Sequence, residues 1–363
     1  MISSKDPSSK VTTPSLTERG RGGSSDGSIR SNWYKRHPYL AATGILLPVL
    51  ALIVVYVSVL RQPKDQLSPE DLARRDSAAL HVALMPVAEC FPFYVAQRSG
   101  IYERLGLDLR IQTLQAQIDT DTALLRRRAE LVYSDLARAI MMQQTDTFDL
   151  RAVAATDMPL QLITARRGRV RNLEQLKERM VAISRHSMTD YWSDRLTDTA
   201  SLAQADIFRP QINDVRIRTD MLCNGTMDAA FLPEPYATEA RLRGNTRNFT
   251  TEGLRPQLAA FLVPTWVTRD TTRLRQLRLL FQGYAQAMAL RDSVPALLRE
   301  LCLTPDSIVD SIAHSLPPAP VLRRPDVADA DAALRWLRTR DKARKNYTTD
   351  TLIFEFHGLE SLQ

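Results

Sequence analysis

The stretch "DAAFLPEPYATEA", residues 228–240, places an apolar run directly before Glu234-Pro235 and a helix-like tail directly after it. The pattern predicts a strand that begins at Asp228 and gives way at once to a helix. Pro235 suits a first helical position, because its fixed φ matches the helix and its missing N–H has no partner there. Loops that contain an abrupt turn of this kind often carry binding residues.

Strands and helices alternate on both sides of this stretch. Short apolar or alternating runs predict strands, at 79–87, 107–114, 131–133, 150–155, 160–166, 180–184, 214–219 and 258–266. Amphipathic runs with polar starts predict helices, among them 91–106, 119–130, 172–179 and 185–196, and the chain after residue 266 is helical in pattern. Such alternation predicts right-handed βαβ units in an α/β fold with mainly parallel sheets.

Four motifs follow one another along the chain: "LHVALMPV" (80–87), "FPFYVAQRSGIYERLGLDL" (91–109), "RNLEQLKERMVAIS" (171–184) and "MLCNGTMDAAFLPEPYATEA" (221–240). In this order they resemble periplasmic solute-binding proteins of ABC importers, in the branch for nitrate, sulfonates, taurine and thiamine precursors. The sequence departs from the family pattern at Glu178, where glycine is usual, and at Arg185-His186, where small residues are usual. The resemblance implies a bilobal, periplasmic-binding-protein-like (type II) α/β fold.

The predicted layout has an N-terminal transmembrane helix before the two lobes. Its parts are a disordered cytoplasmic tail at 1–37, a transmembrane anchor at 38–60, a linker at 61–77, lobe 1 at 78–162 and 260–363, and lobe 2 at 163–259. Hinge strands are predicted near 159–165 and 258–264. In open α/β sheets ligands bind outside the carboxyl ends of strands, so a cleft between the lobes is the predicted site.

Residues 38–60 carry no charge and are long enough to span a bilayer. Lys35 and Arg36 precede the run, which predicts a cytoplasmic N-terminus and a main domain in the periplasm, held by a single pass of the inner membrane. A cleaved signal peptide is the alternative, but its apolar core is typically about 7–15 residues and ends at a small-x-small site. The absence of a cysteine at the end of the run excludes a lipoprotein anchor.

Charge and cysteine content exclude several other classes. The formal net charge is +7, and residues 1–37 hold seven Lys or Arg against three acids, so the rest of the chain is nearly balanced. Arginines scattered along helices do not form the basic face of a nucleic-acid-binding protein. Cys90, Cys223 and Cys302 form no CxxC, which predicts no metal cluster or other cofactor and leaves one disulfide possible.

Candidate ligand contacts in lobe 1 lie in two turns. Glu89 could pair with a ligand ammonium, and Phe91 could stack on a ligand ring or belong to the core. Ser134 is a candidate hydrogen-bonding partner at a strand-to-helix turn. Asp135 beside it is either a second contact or a plain helix N-cap, worth about 1 kcal/mol to the helix.

Candidate contacts in lobe 2 centre on "SRHSMTDYW", residues 184–192. Ser184, Ser187 and Thr189, with free backbone N–H groups at a helix start, form a predicted anion pocket. Arg185 or His186 would add positive charge, although His186 could equally be a solvated loop residue. Two further candidates follow from the stretch quoted first: Glu234 and Tyr236.

The predicted function is therefore binding, without catalysis, of a small organic ligand that is anionic or zwitterionic. The resemblance implies an ABC permease and an ATPase as partners. Two alternatives remain: a ligand-free scaffold or sensor domain on the same fold, and an enzyme that pairs Cys90 with His186 as nucleophile and base. One cysteine and one histidine in different lobes are a chance expectation, which makes the enzyme the weakest reading.

Overall fold

The computed structural model of the protein describes residues 50, 52, 68–144 and 148–357. The chain divides into two compact units, residues 1–72 and 73–363. The predicted tail 1–37 and nearly all of the predicted anchor 38–60 lie outside the described residues. Within the described part, no helix combines the length and the apolar character needed to cross a membrane.

The segment predicted as a linker, 61–77, ends in a helix. Helix α1 spans Pro69–Ala78. The Ser68 hydroxyl oxygen accepts a hydrogen bond from the Asp71 N–H at 3.1 Å, and Glu70 and Asp71 lie in the first turn. A serine cap, a proline and acids in the first turn are strong signals of a helix start, and here they outweigh the polar composition.

Nine strands in the described part of the chain form two sheets. They are β1 Leu80–Leu84, β2 Leu109–Thr113, β3 Leu131–Asp135, β4 Leu150–Ala155, β5 Gln161–Thr164, β6 Val181–Ala182, β7 Ala229–Leu232, β8 Thr246–Thr250 and β9 Ala259–Pro264. The first sheet has the order β2-β1-β3-β9-β4 and the second β6-β7-β5-β8. Strands β3, β5, β7 and β9 are buried along their whole length. Strands covered on both faces read as continuous apolar runs, as these do in the sequence.

The remaining helices connect and flank these sheets. They are α2 Phe91–Arg98, α3 Ile101–Arg104, α4 Gln117–Leu125, α5 Leu136–Met142, α6 Met188–Thr199, α7 Val215–Cys223, α8 Tyr236–Leu242, α9 Thr271–Ala287, α10 Val294–Glu300, α11 Asp306–Ser315 and α12 Val327–Thr339. Helix α9 packs on α2 and α3, α12 packs on α5, and α7 packs on α8.

Both sheets are mixed, so the prediction of mainly parallel sheets is wrong for the described strands. Strand β1 is parallel to β2 and β3, and β6 is parallel to β7. Strand β9 is antiparallel to β3 and β4, and β5 is antiparallel to β7 and β8. Strands β5 and β9 are the first strands after the chain passes from one sheet to the other. They therefore enter without the helical crossover that makes consecutive strands parallel.

We call the five-stranded sheet with its helices lobe 1 and the four-stranded sheet with its helices lobe 2. The chain passes between them at 156–160 and at 251–258. These crossings meet the predicted hinges, 159–165 and 258–264, only at their edges, because β5 and β9 occupy the rest. Two short segments of the chain thus join the lobes covalently.

Aromatic side chains form the centre of lobe 1. The Phe93 ring lies 5.3 Å from that of Phe261 and 4.7 Å from that of Tyr284, centroid to centroid. Phe281 adds a ring on the same cluster. These contacts join α2, β9 and α9, so residues far apart in sequence share one core.

Four local features differ from the sequence-based predictions. The predicted strand 214–219 is the start of helix α7, whose N-cap Asp214 accepts a hydrogen bond from the Ile217 N–H at 2.9 Å. The predicted helix 172–179 is a short 3₁₀ turn, Leu173–Leu176. Strand β8 was not predicted. Pro235 is the N-cap of α8, one position before the predicted one.

Candidate functional site

A small cavity lies between lobe 1 and lobe 2. Residues of both lobes and of the first crossing line it: Met85, Val87, Gln117, Tyr133, Leu160, Ser184, Met188, Thr189, Asn213, Arg218 and Pro233. The cavity offers about 20 Å³ to the centre of a water molecule. One water needs about 10–15 Å³ on this measure. An organic ligand therefore requires the lobes to move apart before it can enter.

Among the described residues that line this cavity, Arg218 alone is charged. Its side chain is buried, at 4% exposure. Nη1 donates to the Ile212 carbonyl at 2.8 Å, whereas Nε has no hydrogen-bond partner. Burial lowers the pKa of the guanidinium to about 10, and the nearby Asp214 carboxylate acts against this shift. A buried cation of this kind is unfavourable unless an anion joins it.

Arg216, two residues earlier on helix α7, has a full set of acid partners. Its Nη1 and Nη2 donate to the two carboxylate oxygens of Glu239 at 2.7 Å each. Asp220 accepts from Nη2 at 2.5 Å. No such ion pair forms at Arg218 with any residue that the structure describes. Helix α7 therefore carries one arginine, Arg216, that pairs with acids of the protein, and a second, Arg218, that forms no such pair with the described residues.

The carboxylate of Asp135 occupies the start of helix α6. Oδ2 accepts from the Met188 N–H at 2.9 Å and from Gln117 Nε2 at 2.7 Å. Oδ1 accepts from the Arg138 N–H at 2.8 Å, which caps helix α5. Asp135 belongs to lobe 1 and Met188 to lobe 2. An acid of one lobe thus lies where the sequence predicts the anionic end of a ligand.

The other amides of this turn also bond within the protein instead of being free. Thr189 Oγ1 accepts from the Ser184 N–H at 2.9 Å, and Ser187 Oγ accepts from the Thr189 N–H at 3.2 Å. The Asp190 carboxylate accepts from the His186 N–H at 2.8 Å. Of this group, Ser184 and Thr189 also line the cavity.

Asp121 is a second buried acid near Asp135. Asp121 pairs with the Arg138 guanidinium, and Ser134 Oγ donates to Asp121 Oδ1 at 2.6 Å. Ser134 therefore faces a protein carboxylate and not the cavity. Burial raises the pKa of Asp135 to about 6, against the effect of the hydrogen bonds from Arg138 and Met188.

Glu89 is buried inside lobe 1, beside the cavity wall. Its Oε1 accepts from the Tyr133 hydroxyl at 2.9 Å, and its Oε2 has no hydrogen-bond partner. Burial raises the pKa of Glu89 to about 7, and the Glu234 carboxylate adds to this shift. The predicted pairing with a ligand ammonium would require this carboxyl to ionise.

Glu234 is bonded within its own lobe. Its carboxylate accepts from Gln161 Nε2 at 2.6 Å and from the Thr238 N–H at 3.0 Å. The Glu234 carbonyl accepts from the Ala88 N–H at 2.9 Å, which joins the turn quoted first to lobe 1. Pro233, its neighbour, lines the cavity.

Phe91 and Tyr236 are both buried away from this cavity. Phe91 lines a separate apolar cavity within lobe 1, with Val95 and Met288 among its neighbours. The Tyr236 hydroxyl donates to Gln115 Oε1 at 3.3 Å. Of the predicted contacts, Ser184 and Thr189 line the cavity between the lobes, and Asp135 and Ser187 bond at its edge.

Comparison with known proteins agrees with this geometry. The family described as NMT1/THI5 like matches residues 88–252. This range includes Asp135, the α6 turn, Arg218 and Glu234. The match covers less than half of the 363 residues of the chain. No curated protein matches the chain.

Solved structures share the fold over about three quarters of the chain. The alkanesulfonate-binding protein SsuA of Xanthomonas axonopodis pv. citri, bound to MOPS, has a TM-score of 0.63 at 16% identity, over 74% of this chain and 95% of its own. SsuA of Escherichia coli, a periplasmic aliphatic sulphonate binding protein, has a TM-score of 0.63 at 15% identity, over 77% and 92%. The periplasmic nitrate-binding protein NrtA of Synechocystis PCC 6803 has 0.60 at 14%, over 76% and 84%. The resemblance to periplasmic solute-binding proteins is confirmed, and at these identities it shows the fold.

Arg185 and His186 lie on the outer side of the α6 turn. Arg185 is exposed, and its carbonyl accepts from Arg138 Nη1 at 3.4 Å. His186 has φ 58° and lies 4.0 Å from Asp190, nitrogen to oxygen. Burial lowers the pKa of His186. Neither side chain lines the cavity between the lobes.

Sequence reasoning missed Arg218 because it assigned residues 214–219 to a strand. The signal for a helix was present. Asp214 is a good N-cap, and Arg216 and Asp220 stand four residues apart, as paired charges do on a helix. The same spacing places Asp214 four residues before Arg218 and would have predicted an ion pair between them. In the described structure the Asp214 carboxylate instead accepts from the Ile217 N–H, and no ion pair joins it to Arg218.

The positions of Cys90 and His186 do not support catalysis. Cys90 is fully buried in lobe 1, and burial raises the pKa of its thiol well above the usual value, which suppresses the nucleophilic thiolate. His186 lies in the other lobe. The three solved structures named above are of binding proteins, and the desulfurization enzyme DSZB has the same fold, with a TM-score of 0.54 at 15% identity over 78% of this chain and 98% of its own. In the part of the chain that the structure describes, no group of three or more His, Cys, Asp or Glu could hold a metal ion.

Proposed function

We propose that this protein is the solute-binding component of an ABC importer and binds a small organic anion or zwitterion between lobe 1 and lobe 2. The observation that carries the proposal is Arg218, a buried guanidinium with no acid partner among the described residues, on the wall of the cavity between the lobes. Ser184, Thr189 and Asn213 add neutral hydrogen-bonding groups around it. The named structural neighbours that bind sulfonates or nitrate support an anion.

The mechanism we infer is closure of the two lobes around the ligand. The ligand stabilises the closed form only if it contacts both lobes, which the lining of the cavity from both sides permits. Residues 38–60 would anchor the protein by a single pass in the inner membrane, with both lobes in the periplasm. The closed form would then dock on a permease with a cytoplasmic ATPase.

Thermal unfolding of the full chain with alkanesulfonates, nitrate, pyrimidines, amino acids and polyamines tests this proposal. A ligand that binds the folded form raises the melting temperature by mass action. We expect a rise with one class of anion. In Arg218→Gln, loss of a charge-assisted hydrogen bond should weaken binding by about 2 kcal/mol or more, roughly thirtyfold in Kd.

The matched control is Arg247→Gln, since Arg247 is exposed on β8 of the same lobe. It should bind as the wild type does. Equal weakening by both substitutions would contradict a role for Arg218.

A ligand-free scaffold or sensor domain is the second candidate. The bond between Asp135 and Met188 favours it, because protein atoms already join the lobes where a ligand would. A scaffold predicts no shift in melting temperature with any compound of the screen.

A further inference from the structure

We propose that Asp135 is a specificity-determining residue whose carboxylate stands in for an acid group of the ligand at the start of helix α6. The site then accepts ligands with one anionic group and rejects ligands with two. This inference rests on the proposed function, because it states which anions the cavity takes.

The contacts of Asp135 are those that a bound carboxylate would make. Three donors reach its two oxygens: the N–H of Met188, the N–H of Arg138 and the amide of Gln117. Met188 belongs to lobe 2 and the other two donors to lobe 1. The first turn of α6 favours negative charge, and Asp135 already supplies it.

The positive charge near Asp135 is also used within the protein. Arg138, which is half-buried, pairs with the buried Asp121. Neither the α6 turn nor Arg138 is therefore left to neutralise a second anionic group. An added anion at this end would meet the Asp135 carboxylate at short range in a buried environment, where like charges repel strongly.

Arg218 marks where the single anionic group goes. Gln117 and Met188 donate to Asp135 and also line the cavity, so Asp135 lies directly behind one wall. Arg218 lines the same cavity, with its Nε unpartnered and its side chain 4% exposed. The site thus contains one position for an anion that the protein fills and one that it leaves open.

The test is Asp135→Ser, which keeps a good N-cap for the Arg138 N–H but is too short to reach Met188. Asp135→Asn, which keeps the volume, is the matched comparison. Melting temperatures are measured in sodium acetate and in sodium chloride at equal ionic strength. Acetate should stabilise Asp135→Ser by supplying the missing carboxylate, and it should have no specific effect on the wild type or on Asp135→Asn.

Binding of 1,2-ethanedisulfonate and of ethanesulfonate is then measured by calorimetry. The disulfonate should bind Asp135→Ser at least tenfold more tightly than it binds the wild type, and Arg218→Gln in the same chain should abolish that gain. The acetate response should persist in the double variant Asp135→Ser, Arg218→Gln, because acetate replaces the Asp135 carboxylate and does not bind at Arg218. Failure of this inference can therefore be distinguished from failure of the proposed function.

Absence of the acetate response in Asp135→Ser, or an equal response in Asp135→Asn, would overturn the inference. So would unchanged binding of the disulfonate. If Asp135→Ser does not fold in chloride, the yield of refolding with and without acetate decides: folding that depends on acetate supports the inference, and failure in both salts overturns it.

Discussion

Arg216 and Arg218 lie on one helix, but their guanidinium groups have different surroundings. Arg216 is held by Glu239 and Asp220, and its bonds bring α7 and α8 together. Arg218 is buried without such partners and faces the cavity. A buried charge that lacks a partner lowers stability, and proteins keep such groups where function uses them.

Replacing Arg218 by methionine should therefore stabilise the ligand-free protein while abolishing anion binding. Methionine has a similar length and no charge to desolvate. We expect a gain of about 1–3 kcal/mol in the free energy of unfolding, by analogy with other buried charges replaced by apolar groups. Urea denaturation measures it.

The control for this prediction is Arg216→Met on the same helix. It leaves the Glu239 carboxylate buried without its partner and should cost about 3 kcal/mol or more. If Arg218→Met destabilised the protein as much as Arg216→Met, the idea of an unpartnered arginine would be wrong.

Glu89 predicts a dependence of stability on pH. Burial raises its pKa from 4.5 to about 7, so its ionisation is harder in the folded than in the unfolded chain. The stability that this group contributes is complete below about pH 4.5 and is lost as the pH rises to about 7, a difference of roughly 3 kcal/mol. Tyr133 and Glu234 are the titratable groups that face it.

Glu89→Gln can still accept the hydrogen bond from Tyr133 but does not ionise. Its free energy of unfolding should lack the loss between pH 4.5 and 7 that the wild type shows. Denaturation at a series of pH values measures this, with the exposed Glu103→Gln as control. Parallel pH profiles for wild type and Glu89→Gln would refute the prediction.

At the scale of elements, helix α9 approaches α3 through a single glycine. A Cβ on Gly283 would lie 2.2 Å from the Tyr102 ring. The Tyr102 hydroxyl donates to the Leu280 carbonyl of α9 at 3.2 Å, and the ring is buried. The close packing of α9 on α3 therefore depends on the absence of a side chain at Gly283.

Gly283→Ala should destabilise the protein by about 1–3 kcal/mol, because an overpacked core must shift. Helix propensity alone predicts a gain of about 1 kcal/mol for the same change, so the sign separates the two effects. Gln282→Ala, at the exposed neighbouring position of α9, is the control and should change stability by less than about 0.5 kcal/mol.

Most elements could be predicted from local pattern. The strands β1, β7 and β9 are apolar runs, and helices α5 and α6 begin after Asp135 and Ser187, which cap them. Strand β6 is short, and α7 reads as alternating "DVRIRT", which matches a strand in period although its cap and charge spacing are helical. Within six residues the two periods are hard to distinguish, and the contacts of α7 with α8 decide the outcome.

At the scale of the whole molecule, a second set of contacts joins the lobes on the side of helix α12. Asp194 of α6 accepts from Trp336 Nε1 at 2.7 Å and pairs with the Arg340 guanidinium. Arg340 also lies 3.3 Å from the Asp190 carboxylate. Helix α12 packs on α5 of lobe 1. Any separation of the lobes at α6 must break these contacts.

Arg340→Gln should loosen lobe 2 from α12. Asp190 and Asp194 are buried and would lose a cation, so we expect a loss of about 1–3 kcal/mol in the free energy of unfolding. Faster amide hydrogen exchange in the first turn of α6 would report the loosening directly. Arg195→Gln removes an exposed pair with Asp198 on the same helix and should change either measurement little.

The sequence by itself determined the α/β class, the order of most strands and helices, and the likeness to periplasmic solute-binding proteins, because periodicity and motif order are local properties of the chain. Only the tertiary structure decided the antiparallel directions of β5 and β9, the isolation of Arg218 and the meeting of Asp135 with Met188. Asp135 and Met188 lie 53 residues apart, and their bond depends on how the two lobes pack. Packing of that kind sets which polar groups satisfy one another and which stay without a partner.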